Sequence, residues 1–361
     1  MFNTPTNSRL LRITLLSVAV LCSGCRTKTP PQSGAPSGTE KKPKLRLAAS
    51  IYVGWMPWFL AEEDGTLARK ANESGVEVEF VRGDYIETIN QYAAGGVDAV
   101  VLTNIDALSL LVKSNVQTDV VLIGSYSHGN DAILMRPSEE EGIEGKTLGL
   151  VEFSVSHYLL DRYIEEKKIP SEKVKWVNIA DSEIAGAFAA PGSNLAGVVT
   201  WNPIAMQIEE KLRGKRIYDS GSIEHEIADM LVVRRAVAEK HPEFVTALLQ
   251  TWFEVVGRLK SDKRNSTLEK LGGLSGTDSH GYQRQLETTL LLDTTEAAVE
   301  AIQDNRIETT MNQVLDFAER HGLLSDKDLK DCVSFGNAQR AVIHFDSQHL
   351  KKLTKAHALA K

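Results

Sequence analysis

Cysteine is nearly absent from this 361-residue chain, which carries only Cys22, Cys25 and Cys332. A disulfide-stapled scaffold is thereby excluded, and the fold must rest on a hydrophobic core. Also missing is any apolar run of the ~20 residues that a spanning helix requires. There is no His-Glu-x-x-His helix, G-x-S-x-G elbow, Walker loop or dinucleotide fingerprint, and the nine histidines show no metal-ligand spacing. No metal, no cofactor and no enzyme activity are therefore expected. Acids outnumber bases beyond the first stretch. Arg9, Arg12, Arg26, Lys28, Lys41, Lys42, Lys44 and Arg46 face Glu40 alone, yet the whole chain has a net charge of −7. The remaining body is more acidic still, which argues against nucleic acid as a partner and leaves cationic or neutral small ligands open. What is present, 42% hydrophobic and 25% charged residues, fits a globular protein long enough for two domains.

The N-terminus reads as an address and a tether. Arg9 and Arg12 flank the apolar residues 13–22, a stretch too short to span a bilayer and suited to a signal peptide over 1–24. Leu21-Cys22-Ser23-Gly24-Cys25 resembles a bacterial lipoprotein cleavage box, with Cys25 as the lipid acceptor. Such a lipid would leave Cys332 without a disulfide partner. Residues 25–43, rich in Pro, Ser, Gly, Thr and Lys, then form a flexible linker that holds the body off the membrane.

Strand and helix signals alternate from residue 45 onward. Strands are predicted at 45–49, 76–81, 99–102, 119–123, 147–151, 174–178, 197–200, 216–219 and 229–233. Helices are predicted at 58–70, 86–94, 107–113, 158–167 and 184–190, with a mostly helical tail beyond His241-Pro242. This alternation predicts parallel sheets covered by helices. Two α/β units joined through 131–136 and 227–233 would make a clamshell, with lobe I at 44–130 plus 229–361 and lobe II at 131–228.

Open α/β sheets place ligands outside the carboxyl ends of their strands, so the residues after each strand are the ones to question. There the sequence places Trp55 and Trp58; Asp84 and Tyr85; Asn104 and Asp106; Asn130 and Asp131; Glu152, Ser154 and Ser156; and Trp201 with Asn202. Lys and Arg are nearly missing from these clusters. A sulfonate, nitrate or phosphate site would want Arg, Lys or free backbone N–H groups. A lining of carboxylates, amides and aromatics suits an N–H-rich guest, and a planar guanidinium suits it best. Plainer roles stand beside these. Trp55 and Trp58 fit a core, Asp84, Asp106, Ser154 and Ser156 fit helix caps, and Asn130, Asp131, Trp201 and Asn202 fit turns. The Ser154–His157 segment also offers a helix N-terminus, which favours anions and cuts against a cation. His157 reads as a structural histidine.

The runs Tyr52-Val53-Gly54-Trp55-Met56-Pro57-Trp58, Asp84-Tyr85-Ile86-Glu87-Thr88, Thr103-Asn104-Ile105-Asp106-Ala107, Gly129-Asn130-Asp131, Ser154-Val155-Ser156-His157-Tyr158 and Thr200-Trp201-Asn202-Pro203 resemble those of the nitrate/taurine-type substrate-binding proteins of ABC transporters. More narrowly they are similar to the branch encoded beside urea carboxylase. The resemblance covers 45–260 well and the tail loosely. It implies a periplasmic-binding-protein type II clamshell of two α/β lobes with a helical C-terminal segment. It also implies a monomeric receptor that hands a small-molecule solute to a permease and ATPase complex, with a ligand in the urea or guanidine class. The expectation is thus a lipid-anchored periplasmic receptor for guanidinium first and urea second. Three alternatives stay open: a receptor for another small amine or a thiamine-precursor-like ligand, a pyrimidine-precursor synthase-like enzyme, and a sensor lipoprotein.

Overall fold

The apolar and period-two runs become thirteen strands among the residues described by the computed structural model, which are 42–139, 142–325, 328, 331–336 and 340–359. The signal segment, Cys25 and most of the linker lie outside the described residues. In chain order the strands are β1 (Lys44–Ala49), β2 (Glu77–Arg82), β3 (Ala99–Thr103), β4 (Thr118–Ser127), β5 (Asp131–Met135), β6 (Thr147–Leu150) and β7 (Lys175–Asn178). They continue with β8 (Gly197–Trp201), β9 (Lys215–Asp219), β10 (Ala228–Arg234), β11 (Thr289–Leu291), β12 (Val333–Phe335) and β13 (Ile343–Phe345). A first sheet runs β12-β13-β4-β10-β3-β1-β2 with β11 beside β4, and a second runs β7-β6-β8-β5-β9.

The chain leaves the first sheet after Ser127 and returns to it at Ala228. The crossovers are therefore 128–130 and 220–227. The segments 131–136 and 227–233, expected to join the units, are instead mainly strands β5 and β10. Both run antiparallel to both of their neighbours, so the sheets are mixed rather than wholly parallel. Each of these strands enters its sheet directly from the other one, without the helical crossover that forces parallel pairing.

This reversal positions the site. Because β10 is antiparallel to β3, the start of β10 lies beside the end of β3, with Asp229 opposite Thr103. In the second sheet Asp131, at the start of β5, lies opposite Trp201, at the end of β8. The three-residue crossover 128–130 spans only ~10 Å, so it keeps these two sheet edges facing each other.

Other elements shift for local reasons. The single helix expected over 58–70 is two, Met56–Glu63 and Thr66–Glu73, parted at Gly65, whose φ of 78° suits glycine. The helical tail contains Pro242–Arg258, Arg264–Leu274, Ser279–Leu286, Thr295–Gln303, Asn305–Arg320 and Gln348–Leu359, but also β11, β12 and β13, which extend the first sheet. β3 and β4 are buried along their whole length, as strands covered on both faces should be. Cys332 is buried and in no disulfide among the described residues.

Candidate functional site

Four aromatic rings line up where the two sheet edges face each other. Tyr52 and Trp55 follow β1, Tyr85 opens the helix after β2, and Trp201 ends β8. Ring centroids lie 4.9 Å apart for Tyr52 and Trp55, 5.4 Å for Trp55 and Tyr85, and 5.4 Å for Tyr85 and Trp201. Trp201 comes from the second sheet and the other three from the first, so the row spans both. All four are buried.

Three carboxylates lie within this row. Asp106 is fully buried; its Oδ2 accepts from the Tyr85 hydroxyl and the Thr103 hydroxyl, each at 2.7 Å, and from the Val155 N–H at 3.3 Å. Val155 is the first residue of the helix Val155–Lys167 in the second unit, whose cap is the Ser154 hydroxyl. The positive end of that helix is thus already occupied by a carboxylate of the protein itself. Asp131 accepts from Ser127 and Asp229 from Ser125, both buried. The Tyr52 phenol faces Ser127, Asp131 and Asp229. Gly54 passes so close that a Cβ there would lie 2.8 Å from the Ser125 hydroxyl and 2.7 Å from the Tyr52 ring.

Burial dominates the acidity of this group. It pushes the Asp106 carboxyl up to about 6 against the pull of hydrogen bonds from Tyr85 and Thr103. Burial likewise lifts Asp131 to about 7, with the nearby Asp106 charge adding to the rise and the Ser127 hydroxyl opposing it. Asp229 stands well above the usual carboxylate range, again through burial first, with the charge of Asp131 adding to it. None of the three makes an ion pair among the described residues. Arg216 is a cation whose charge acts on Asp131, and its guanidinium is taken up by Glu209, Asp219 and the Gly129 carbonyl. Asp106 Oδ1, Asp229 Oδ1, Trp55 Nε1, Ser156 Oγ and Ser50 Oγ are all buried without a hydrogen-bond partner. Buried polar atoms normally have one, so orphans on three members of this cluster, Asp106, Asp229 and Trp55, point to a guest.

The other expected residues divide. Asn130 and Asn202 build the wall next to this cluster. Asn130 donates to Tyr52 and Thr289 and accepts from Asn202 and Thr288, and Asn202 also accepts from the Met206 N–H. Four residues point elsewhere. Trp58 lies in the core, its ring 5.4 Å from Trp252. Glu152 accepts from the Trp176 indole at 3.1 Å, because Phe153 takes a left-handed turn (φ 63°) that separates it from the helix start. Asp84 is exposed at the rim, where it accepts from Ser182 of the second unit at 3.2 Å. Asn104 spends its amide on the backbone of Glu226 and Ala228, fixing the second crossover. Ser154 is a helix cap, whereas Ser156 keeps a free buried hydroxyl. Sequence reasoning missed two residues of the cluster, Tyr52 and Asp229. The signal for Asp229 was a carboxylate opening an otherwise apolar run.

The description of the NMT1-like family matches residues 38–271, well over half of the chain. The chain belongs to the NMT1-like family. It is similar to the taurine-binding periplasmic protein of Escherichia coli (strain K12), with 26% identity over 230 residues, 61% of this chain and 70% of that protein. Among solved structures, the alkanesulfonate-binding protein SsuA from Xanthomonas axonopodis pv. citri, bound to MOPS, superposes with a TM-score of 0.65 at 15% identity, covering 80% of this chain and 96% of that one. The nitrate-binding protein NrtA from Synechocystis PCC 6803 also gives 0.65, at 11% identity over 88% and 89% of the two chains. This member of the NMT1-like family therefore has the periplasmic-binding-protein fold.

Proposed function

We propose that this protein captures a small N–H-rich solute, guanidinium before urea, and delivers it to the permease and ATPase of an ABC importer. One observation carries the reading: Asp106, Asp131 and Asp229 are buried, paired with no cation among the described residues, beside the row of Tyr52, Trp55, Tyr85 and Trp201. A planar cation supplies what this group lacks. It can pair with carboxylate edges and stack on aromatic faces, a contact worth ~2 kcal/mol or more when desolvated. The relatives named for taurine, alkanesulfonate and nitrate suggest an anion instead. In this chain the helix N-terminus that would attract an anion already holds Asp106. A second sulfonate-like charge would meet carboxylates on every side. Urea keeps second place through Trp55 Nε1, a buried donor that needs an acceptor such as a carbonyl oxygen.

In this reading lobe I is 44–130 plus 229–361, lobe II is 131–228, and the two close on the solute about the crossovers. Closure joins Asp106 to the Val155 N–H and Asp84 to Ser182, contacts that exist only when the lobes meet. Calorimetry with guanidinium, urea, agmatine and taurine tests the ligand. Guanidinium is expected to bind tightest and taurine not at all; tight taurine with silent guanidinium would overturn the reading. The place in the urea-carboxylase-associated branch belongs to the same proposal and rests on the motifs at 52–58, 84–92 and 200–203. So does the periplasmic, monomeric, lipid-anchored state. Cys25→Ser is expected to move the protein from the membrane fraction to the soluble one, and unchanged membrane association would count against the anchor.

A further inference from the structure

Three acids in one buried cluster cannot all remain ionised without a cation among them. Among the described residues the groups facing them offer no uncommitted one. Asp106 faces Tyr85, Thr103 and the Val155 N–H; Asp229 faces Ser125, Tyr52 and Asp131. Asp131 faces Ser127, Asp106, Asp219 and Arg216, and Arg216 is already shared by Glu209 and Asp219. Glu226, whose carbonyl holds Asn104, keeps its carboxylate on Tyr158 and Arg162. Without a ligand, protons are the positive charge available to the cluster. The orphaned oxygens Asp106 Oδ1 and Asp229 Oδ1, together with Trp55 Nε1 on the neighbouring ring, mark the place where a guest would sit.

We propose that Asp106, Asp131 and Asp229 form a charge filter in which guanidinium enters by displacing protons held among the three carboxylates, whereas urea displaces none and is rejected once they ionise. This rests on the guanidinium reading and makes Asp229 a specificity-determining residue. The exchange balances: a carboxyl O–H ionises, its proton leaves to solvent, and the arriving cation takes up the charge. Guanidinium affinity then rises with pH, while urea affinity falls. The titration range follows from burial, which places Asp106 at about 6 and Asp131 at about 7.

The test is calorimetry of guanidinium and urea with the purified protein between about pH 5.5 and 8.5, in paired buffers of low and high ionisation enthalpy. Linkage predicts release of about one proton per guanidinium near neutrality and an affinity gain of roughly 100-fold between pH 5.5 and 7.5. Urea should lose affinity across the same interval. Asp229→Asn should release fewer protons and flatten the guanidinium profile while the protein still unfolds cooperatively. Guanidinium bound equally well at every pH with no proton released would overturn the filter, as would urea matching guanidinium at the alkaline end. Absence of guanidinium binding at every pH is a separate result, and it overturns the functional reading beneath the filter.

Discussion

Asp131→Asn is expected to weaken guanidinium binding at least 100-fold and, at the same time, to stabilise the unliganded protein at neutral and alkaline pH. The loss follows from removing one charged partner of a buried ion contact, which costs ~3–5 kcal/mol, or two to three decades in affinity. The gain comes from the free protein. Asp131 has its carboxyl raised to about 7 by burial and by the Asp106 charge, far above its value in an unfolded chain. Between roughly pH 4 and 7 the folded state therefore binds more protons than the unfolded one, so stability falls as pH rises through that window. Above it the full cost of the buried charge is present, ~4 kcal/mol for a shift of this size. Asparagine has the same shape, can accept from the Ser127 hydroxyl and has no charge to bury. Thermal unfolding from pH 5 to 8 should show a falling midpoint for the parent protein and a flatter, higher one for Asp131→Asn. A variant that binds guanidinium as well as the parent would remove Asp131 from the site. A variant less stable at pH 8 would mean that the carboxylate is compensated in the free protein after all.

The same cluster shows which parts of the site were legible in the sequence. Trp55, Tyr85, Asp106 and Trp201 were found because they follow strands or open helices at the sheet edge, where ligands of α/β folds collect. That rule holds for parallel strands. In an antiparallel strand the beginning, not the end, reaches the ligand edge. β10 is such a strand, and so Asp229 was passed over as the first residue of an apolar run. β5 is another, and Asp131 was noticed as a residue following the strand expected at 119–123, not as the start of β5. Trp58 could not be told from Trp55 by type or neighbourhood. Only the turn Val53–Trp55 and the start of the next helix send one ring to Tyr85 and the other to Trp252. Glu152 met every sequence criterion, but one left-handed residue, Phe153, lies between it and the cap and leaves it on Trp176. β11, β12 and β13 have three residues each, too few for a period-two pattern to stand out.

Asp106→Ala should invert the charge preference of the site. In the parent protein Asp106 does two things: it presents Oδ1 to the cluster without a partner, and it places Oδ2 on the Val155 N–H at the start of a thirteen-residue helix. Removing the carboxylate takes away a ligand-facing charge and exposes the helix end together. Guanidinium affinity should fall by at least 100-fold, the cost of a lost charge-assisted contact in a buried site. Val155 N–H would then be a donor with no acceptor, and the helix N-terminus adds ~0.3–1 kcal/mol of attraction for an anion. That is enough for weak sulfonate binding and not for tight binding, because Asp131 and Asp229 still oppose a negative guest. The opposition should relax as these two acids take up protons, so taurine is expected to bind better at pH 5.5 than at pH 7.5. This is the reverse of the trend expected for guanidinium in the parent protein. Calorimetry of both solutes at both pH values reads the inversion directly. Retained guanidinium affinity in Asp106→Ala would place the cation away from this carboxylate. Lost guanidinium with no taurine binding at pH 5.5 would show that Asp106 is a cation contact but that the helix end behind it is not an anion seat.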